Sequence, residues 1–456
     1  MTIDLDTLVD GRPVQVSTIL LIVIAALALI SDGFDLAAMG YIAPELSKEW
    51  HLAQGALVPA FSAGIIGMMI GGPLLGYLGD RYGRKRIIVL GLTVIGLTTL
   101  VTMGATSVTH FVVLRFITGV GLGGVIPNVV ALVAELTPRR TRGRLIVLIT
   151  LGIVLGIALP GLLGAALVPL YGWRVLLVIG GVLPLAIALI SVFVLPESIK
   201  YLLVRGDRND RVRELARLLR PDLAIDPDAR ITIAATVPST SRGSTSALFA
   251  GPFALITPLL WICQAANQMA NFFSLTWLPT LLQSSGATTA QASTIAAQFS
   301  LGGFLGGIVM MFIIDRLGVV PLVILFALGC PLVAAMVLPG LSPVMHALVI
   351  AGAGFCVVGV QCGMTGLLGV LYPTPIRSLG TGWTQSAGRL GALAAPVVGG
   401  ILLGMNLPAQ ELTLAPASLL AVGAVASAAL AWACWRHFGG VHVSEVIVSP
   451  IEGHRA

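Results

Sequence analysis

The chain has 456 residues, 57% of them hydrophobic and only 10% charged, and its mean hydropathy is +0.99. A soluble domain needs more charge to coat its surface, so a water-borne enzyme or signalling domain is excluded as a reading of the whole chain. The formal charge of +6 reads as a basic membrane face rather than a nucleic-acid surface, because the bases sit between long apolar runs. The first residues are no secretory signal: Asp4, Asp6 and Asp10 outweigh the single Arg12, and no small-residue cleavage site follows. A helix crossing about 30 Å of hydrocarbon needs about 20 apolar residues. Runs of that kind predict helices over 17–47, 55–78, 87–105, 110–135, 144–169 and 174–195. After a polar stretch they resume over 252–282, 289–314, 319–339, 344–371, 378–404 and 413–435.

An even number of spans puts both termini on one side, and the Lys/Arg distribution chooses the side. Arg81, Arg84, Lys85 and Arg86, then Arg139, Arg140, Arg142 and Arg144, then the central loop crowd one face. The other face holds only Lys48 and Arg174. The positive-inside rule predicts cytoplasmic termini and a cytoplasmic central loop.

The second half repeats the first at an offset of about 235 residues. Gly67, Gly71 and Gly72 recur as Gly302, Gly306 and Gly307, and Gly119 and Gly124 as Gly354 and Gly359. Asp80, Arg81 and Gly83 recur as Asp315, Arg316 and Gly318. Pro138, Arg142 and Gly156 recur as Pro373, Arg377 and Gly391. The expected fold is all-α: twelve transmembrane helices in two repeated six-helix bundles, 1–198 and 252–437, as in carriers that rock about a midplane site. Residues 199–251 are expected to form a cytoplasmic linker with a short amphipathic helix over 207–220, and 438–456 a cytoplasmic tail.

A charge at the bilayer centre costs at least about 2.5–3.5 kcal/mol, so each one needs a reason. Asp32 and Asp35 stand i, i+3 in the first helix, with Gly33 between them for close backbone approach. Burial and like charge favour the neutral acid, so the pair can take up and release a proton. Asp35 is the leading coupling acid, with Asp32 next; a structural, hydrogen-bonded pair is the bland alternative. Arg389 lies near mid-depth in helix 11, and its planar fork suits a carboxylate. It is the leading anchor for an anionic solute, against a fixed ion pair to a helix-1 aspartate or a cage of carbonyls. Arg115, in helix 4, reads either as part of proton movement or as a structural arginine.

Gly79, Asp80, Arg81, Gly83 and Arg84 form a turn whose bases the positive-inside rule explains, but whose acid and glycines it does not. An acid capping a neighbouring helix there would latch one state of a carrier; Asp315, Arg316 and Arg377 are the counterparts in the second half. Gln264, Asn267, Gln268 and Asn271 in helix 7 and Gln361 in helix 10 are uncharged polar groups, able either to glue helices or to line a site. Tyr41, Trp277 and Trp383 offer rings to a planar ligand. The five cysteines have no metal-ligand or redox spacing and read as core residues; no metal or cofactor site is expected.

At these residues the sequence resembles the major facilitator superfamily, and more narrowly its aromatic acid:proton symporters, the 4-hydroxybenzoate and benzoate carriers. GDRYGRKR (79–86) looks like the superfamily's loop 2–3 motif and RFITGVGLGGVIPN (115–128) like its helix-4 motif. LPESIKYLL (195–203) resembles the end of helix 6, a feature shared with sugar porters. More specific are DGFDLAAMGYIAPEL (32–46), TWLPTLL (276–282) and YPTPIRSLGTGWTQSAGRLGA (372–392). The resemblance covers nearly the whole chain. It implies proton-driven uptake of an aromatic carboxylate across a bacterial inner membrane. The essential acids would be Asp32, Asp35, Asp80 and Asp315, and the functional arginines Arg115, Arg377 and Arg389. One departure stands out: the second-half loop, DRLGVVP, lacks the basic cluster that follows Gly83, so gating there is expected to be weaker.

The function expected is therefore a symporter, with Arg389, Asp35, Gln268, Asn271, Gln361, Trp277 and Trp383 at the substrate and Asp32, Asp35 and Arg115 moving the proton. Its expected partners are a small aromatic acid, protons and the lipid bilayer, with no nucleic acid; the chain is expected to work as a monomer, and the proton gradient takes the place of a cofactor. Rival readings are a same-fold carrier for a sugar or drug, or a passive channel or membrane sensor. Sugar sites usually carry more polar groups and no midplane arginine, and no ring of pore-lining charge marks a channel.

Overall fold

A computed structural model describes residues 2–4, 16–53, 55–198, 201–202, 230–232, 245–372, 374–405 and 407–438. Among these, twelve helices exceed one or two turns. The first six are α1 (Val16–Glu49), α2 (Val58–Tyr82), α3 (Arg84–Thr102), α4 (Val108–Leu136), α5 (Arg139–Tyr171) and α6 (Arg174–Val194). The second six are α7 (Phe253–Ser284), α8 (Thr289–Leu317), α9 (Val320–Ala334), α10 (Pro343–Leu371), α11 (Thr374–Gly404) and α12 (Leu414–Phe438). Eleven are apolar enough to cross a bilayer on composition alone. The exception is α7, whose run of amides, Gln264, Asn267, Gln268 and Asn271, dilutes an otherwise apolar helix that carries no charge. The expected linker helix over 207–220 and most of the tail lie outside the described residues. A parallel pair of short strands, β1 (Thr2–Asp4) with β2 (Arg230–Thr232), is the small departure from an all-helical chain.

Polar caps mark where helices start. Ser107 accepts the His110 N–H at the start of α4, and Ser342 accepts the Met345 N–H at the start of α10. Thr288 and Gln291 form a reciprocal capping box at the start of α8.

The chain forms two compact units. One holds residues 1–38, 59–157 and 174–238; the other holds 39–58, 158–173 and 239–456. Helices α1 and α5 are thus each divided between them. In the first unit α3 packs against α4 and α6. Its core is built from Leu29, Ile88, Leu92, Val125, Leu132 and Ile149 among others, all buried. In the second unit α7 packs on α11 and α12, and α8 on α10. Here the C-terminal part of α1 joins α7 and α8. Glu45 accepts from Thr289 Oγ1 at 2.7 Å and Lys48 Nζ at 2.9 Å, and Lys48 also donates to Gln283 at 2.8 Å. Gly40 lies so close to the Leu275 carbonyl that a Cβ has no room.

The repeated glycines make equivalent contacts in the two units. In the first, Gly67 and Gly71 on α2 lie against the α4 backbone at Phe116 and Val120. In the second, Gly302 and Gly306 on α8 lie against the α10 backbone at Ala351 and Phe355. Gly156 on α5 meets the Ile30 carbonyl of α1, and its counterpart Gly391 on α11 meets the Ala265 carbonyl of α7. Lipid supplies no hydrophobic force between helices, so backbone contact across small residues does the work that core burial does in water.

The arginine-rich turn differs from expectation. α2 continues through Asp80, Arg81 and Tyr82, so these residues are helical and only Gly83 turns, at φ 106°. Gly79 is a packing glycine: a side chain there would collide with that of Asn128, which is held by donating to Leu75 O at 3.1 Å and Gly124 O at 2.8 Å. The second half behaves alike, with Asp315 and Arg316 inside α8 and the break at Gly318, φ 57°.

Candidate functional site

In the first unit the two helix-1 acids have different surroundings. Both sit near the middle of α1 and are buried. Gly33 between them presses on the Ile153 carbonyl of α5, which pins this stretch of α1 to its neighbour. Asp35 is fully engaged: Arg115 Nη1 donates to Oδ2 at 3.1 Å, and Thr99 Oγ1 donates to Oδ1 at 3.1 Å. Asp32 has neither oxygen hydrogen-bonded among the described residues, and the nearby Ser31 hydroxyl is also unpartnered. No hydrogen bond joins the two carboxyls. Arg115 is buried and spends one nitrogen on Asp35; its Nε and Nη2 have no partner among the described residues. A half-used guanidinium fork therefore stands in the same unit as an unpaired acid. An ionised carboxyl buried without a partner is costly, as is an arginine without its counter-charge.

In the second unit Arg389 occupies the middle of the 31-residue α11, half-buried. It has no hydrogen-bond or ion-pair partner among the described residues. One turn before it on the same face stands Gln385, which takes part in an amide cluster. Gln264 Nε2 donates to Gln361 Oε1 at 3.4 Å and to Gln385 Oε1 at 3.3 Å, and Asn267 Nδ2 donates to Gln361 Oε1 at 3.3 Å. Gln264 and Asn267 are completely buried, whereas Gln361 and Gln385 are half-exposed. Gly388 opens the space between α7 and α11 in which the Gln264 and Gln268 side chains lie. Asn271, a turn further along α7, is half-buried. Trp383 is 45% exposed and stacks on Trp261 at 5.7 Å between centroids. Trp277 is buried, its indole edge filling the gap at Gly399, so it serves α7–α11 packing.

At the arginine-rich end of the first unit, Arg84 bridges Asp80 and Glu135, each at 2.9 Å. Glu135 also accepts from the Ser198 hydroxyl. Glu197 accepts the N–H groups of Lys85 and Ser198, both at 3.0 Å, and lies where a side chain at Gly83 would be. The acid capping the start of α3 is thus Glu197, three residues beyond α6; Asp80 is largely exposed and holds only Arg84 among the described residues. Arg81 lies over the Tyr82 ring at 5.6 Å. Arg316 is exposed on α8, while the side chains of Asp315 and Arg377 lie outside the described residues. Sequence reasoning missed the roles of Glu135 and Glu197, although two acids among so many arginines were a usable signal. It also missed Gln385 and Trp261, polar or amphipathic residues that the chain offers without any distinctive spacing.

Residues 25–259 match the Major Facilitator Superfamily. The 4-hydroxybenzoate transporter PcaK of Pseudomonas aeruginosa is 35% identical over 406 residues, 89% of this chain and 90% of that one. The gallate transporter of Pseudomonas putida is 33% identical, with 89% and 90% covered. Among solved structures, a bacterial homologue of the human lysosomal transporter Spinster superposes with a TM-score of 0.69 at 15% identity, covering 93% of this chain and 99% of that one. The xylose transporter XylE from E. coli superposes at 0.68 with 17% identity, covering 93% and 98%. At such identities the structures speak for the fold alone, whereas the sequence relatives span nearly the full chain. The chain is therefore a multi-pass membrane transporter, not an enzyme, and belongs to the Major Facilitator Superfamily.

Proposed function

We propose that this transporter imports an aromatic carboxylate together with protons across a bacterial inner membrane, with both termini in the cytoplasm. The observation that carries the reading is Arg389. A guanidinium cannot shed its charge, so one held half-buried in mid-span without a partner among the described residues invites an anion. That the relatives are transporters of 4-hydroxybenzoate, gallate and benzoate fits the invitation. Gln268, Asn271 and the exposed ring of Trp383 complete the substrate side, the ring offering a planar face.

The proton belongs on Asp32 in this reading. Asp35 is already neutralised by Arg115, so adding a proton there would break a made ion pair. Asp32 has no such pair to lose. When Asp32 releases its proton, the idle Nε and Nη2 of Arg115 can turn to the new charge, so that one arginine serves two carboxylates in succession. In this symport reading the proton raises substrate affinity, and linkage then requires that the substrate raise the proton's affinity by the same factor. The Asp80–Arg84–Glu135 bridge, with Glu197 on the start of α3, holds the α2–α3 corner and tunes switching rather than binding. Asp315, Arg316 and Arg377 are the proposed second-half counterparts.

The test is uptake of radiolabelled 4-hydroxybenzoate into membrane vesicles under an imposed pH gradient. Uptake is expected to rise as the external pH falls and to collapse with a protonophore. Uptake driven by sodium and indifferent to the protonophore would overturn the reading.

A further inference from the structure

The amide cluster on α7, α10 and α11 has a hydrogen-bond imbalance. Four amides, Gln264, Asn267, Gln361 and Gln385, meet through three bonds of 3.3–3.4 Å, at the slack end of the range for a hydrogen bond. Gln361 Oε1 receives two of them, while Gln264 Oε1 and Asn267 Oδ1 are buried with no partner among the described residues. An amide knot kept only to join three helices would be expected to satisfy itself, because a buried acceptor left unmet is costly. What these two buried oxygens lack is a donor within reach, since no hydrogen bond from the Gln361 or Gln385 NH2 group meets them among the described residues. The two amides that are half-exposed, Gln361 and Gln385, stand at its open side, and Gln385 lies one helical turn from Arg389 on the same face of α11.

We propose that this cluster is a subsite for a ring hydroxyl, which makes the transporter selective for hydroxylated aromatic acids over unsubstituted ones. The inference rests on the reading above, in which Arg389 takes the carboxylate. A hydroxyl donates one hydrogen bond and accepts others, so it supplies the missing donor and can accept from an amide NH2 of Gln361 or Gln385. A benzene ring with a carboxylate at one end and a hydroxyl at the other spans a little more than one helical turn. The step from Arg389 to Gln385, one turn of α11, is of that order. A site built to bond a hydroxyl rejects the analogue that lacks it, because the polar groups are then left unpaired.

The experiment measures binding of 4-hydroxybenzoate, benzoate and 4-methoxybenzoate to the purified full-length protein by calorimetry, for wild type, Gln361→Met and Gln385→Met. Wild type is expected to bind 4-hydroxybenzoate at least about tenfold more tightly than benzoate. The methoxy compound should bind no better than benzoate, since it accepts but cannot donate. Both variants should lose the preference by weakening 4-hydroxybenzoate more than benzoate, and a thermal-unfolding midpoint close to that of wild type shows that they are folded. Near-equal affinities for the hydroxylated and plain acids in wild type would overturn the subsite, and so would a preference that survives in both variants. If a variant does not fold, the wild-type comparison of hydroxyl, methoxy and hydrogen decides by itself. Failure to bind any of the three acids would remove the aromatic-acid reading and this subsite with it.

Discussion

Two arginines within membrane spans, one in each unit of this transporter, are kept in opposite ways. Arg115 in the first unit is paired: Asp35 lies 3.1 Å away, and Thr99 holds the other carboxyl oxygen. Arg389 in the second unit stands mid-helix with no internal counter-charge among the described residues. The repeat gives both units the same glycine contacts between helices, yet their polar interiors differ. One unit closes its charge on itself and keeps a spare acid, Asp32. The other leaves a positive charge open beside a set of amides. A shared scaffold has been specialised, with proton handling proposed for one unit and anion binding for the other.

The largest effect that sharpens this contrast is on stability. Arg115→Leu strands Asp35, and breaking a buried pair from one side costs about 3–5 kcal/mol. A thermal-unfolding assay in detergent should show a large drop, recovered in part by the double variant Arg115→Leu/Asp35→Leu. Arg389→Leu breaks no internal pair and should unfold close to wild type. Equal losses for the two arginines would erase the distinction.

Binding gives the next effect. Two charge-assisted bonds of about 1.5–3 kcal/mol each join a guanidinium to a carboxylate. Arg389→Gln should then weaken substrate binding by at least about tenfold, or 1.4 kcal/mol. Arg389→Lys should restore little, because a point charge does not reproduce the fork. Normal binding by Arg389→Gln, measured by calorimetry, would move the anchor elsewhere.

Much of this was legible in the chain. The glycines at an offset of about 235 residues predicted the paired bundles, because a contact between backbones tolerates no side chain and so leaves a fixed residue behind. The charges in mid-span were legible for a similar reason, since lipid makes them rare. Their pairing was not. Asp35 finds Arg115 80 positions away, and nothing local separates Asp35 from Asp32, which shares its helix face. The turn was misplaced because Gly79 reads as a chain reversal, whereas its role is to make room for Asn128. Trp277 and Trp383 look equivalent as letters, yet Gly399 draws one into the packing and leaves the other exposed on its stack with Trp261.

The smallest effect concerns the arginine-rich end. Asp80 is 67% exposed, and such a pair with Arg84 contributes at most about 1 kcal/mol. Asp80→Asn should leave stability and substrate affinity within error of wild type while slowing transport. A large affinity loss in a folded Asp80→Asn protein would count against a role confined to switching.

The most direct test of the division of labour is substrate affinity measured against pH for wild type and Asp32→Asn, paired with uphill uptake in vesicles. Under the proposed coupling through Asp32, wild-type affinity should be highest at low pH and fall as the pH rises through the titration of Asp32. Asp32→Asn mimics the protonated acid permanently. It should bind with that pH dependence flattened and exchange substrate in counterflow, yet fail to accumulate it. An Asp32→Asn protein that keeps the wild-type pH slope and still concentrates substrate against its gradient would contradict the account.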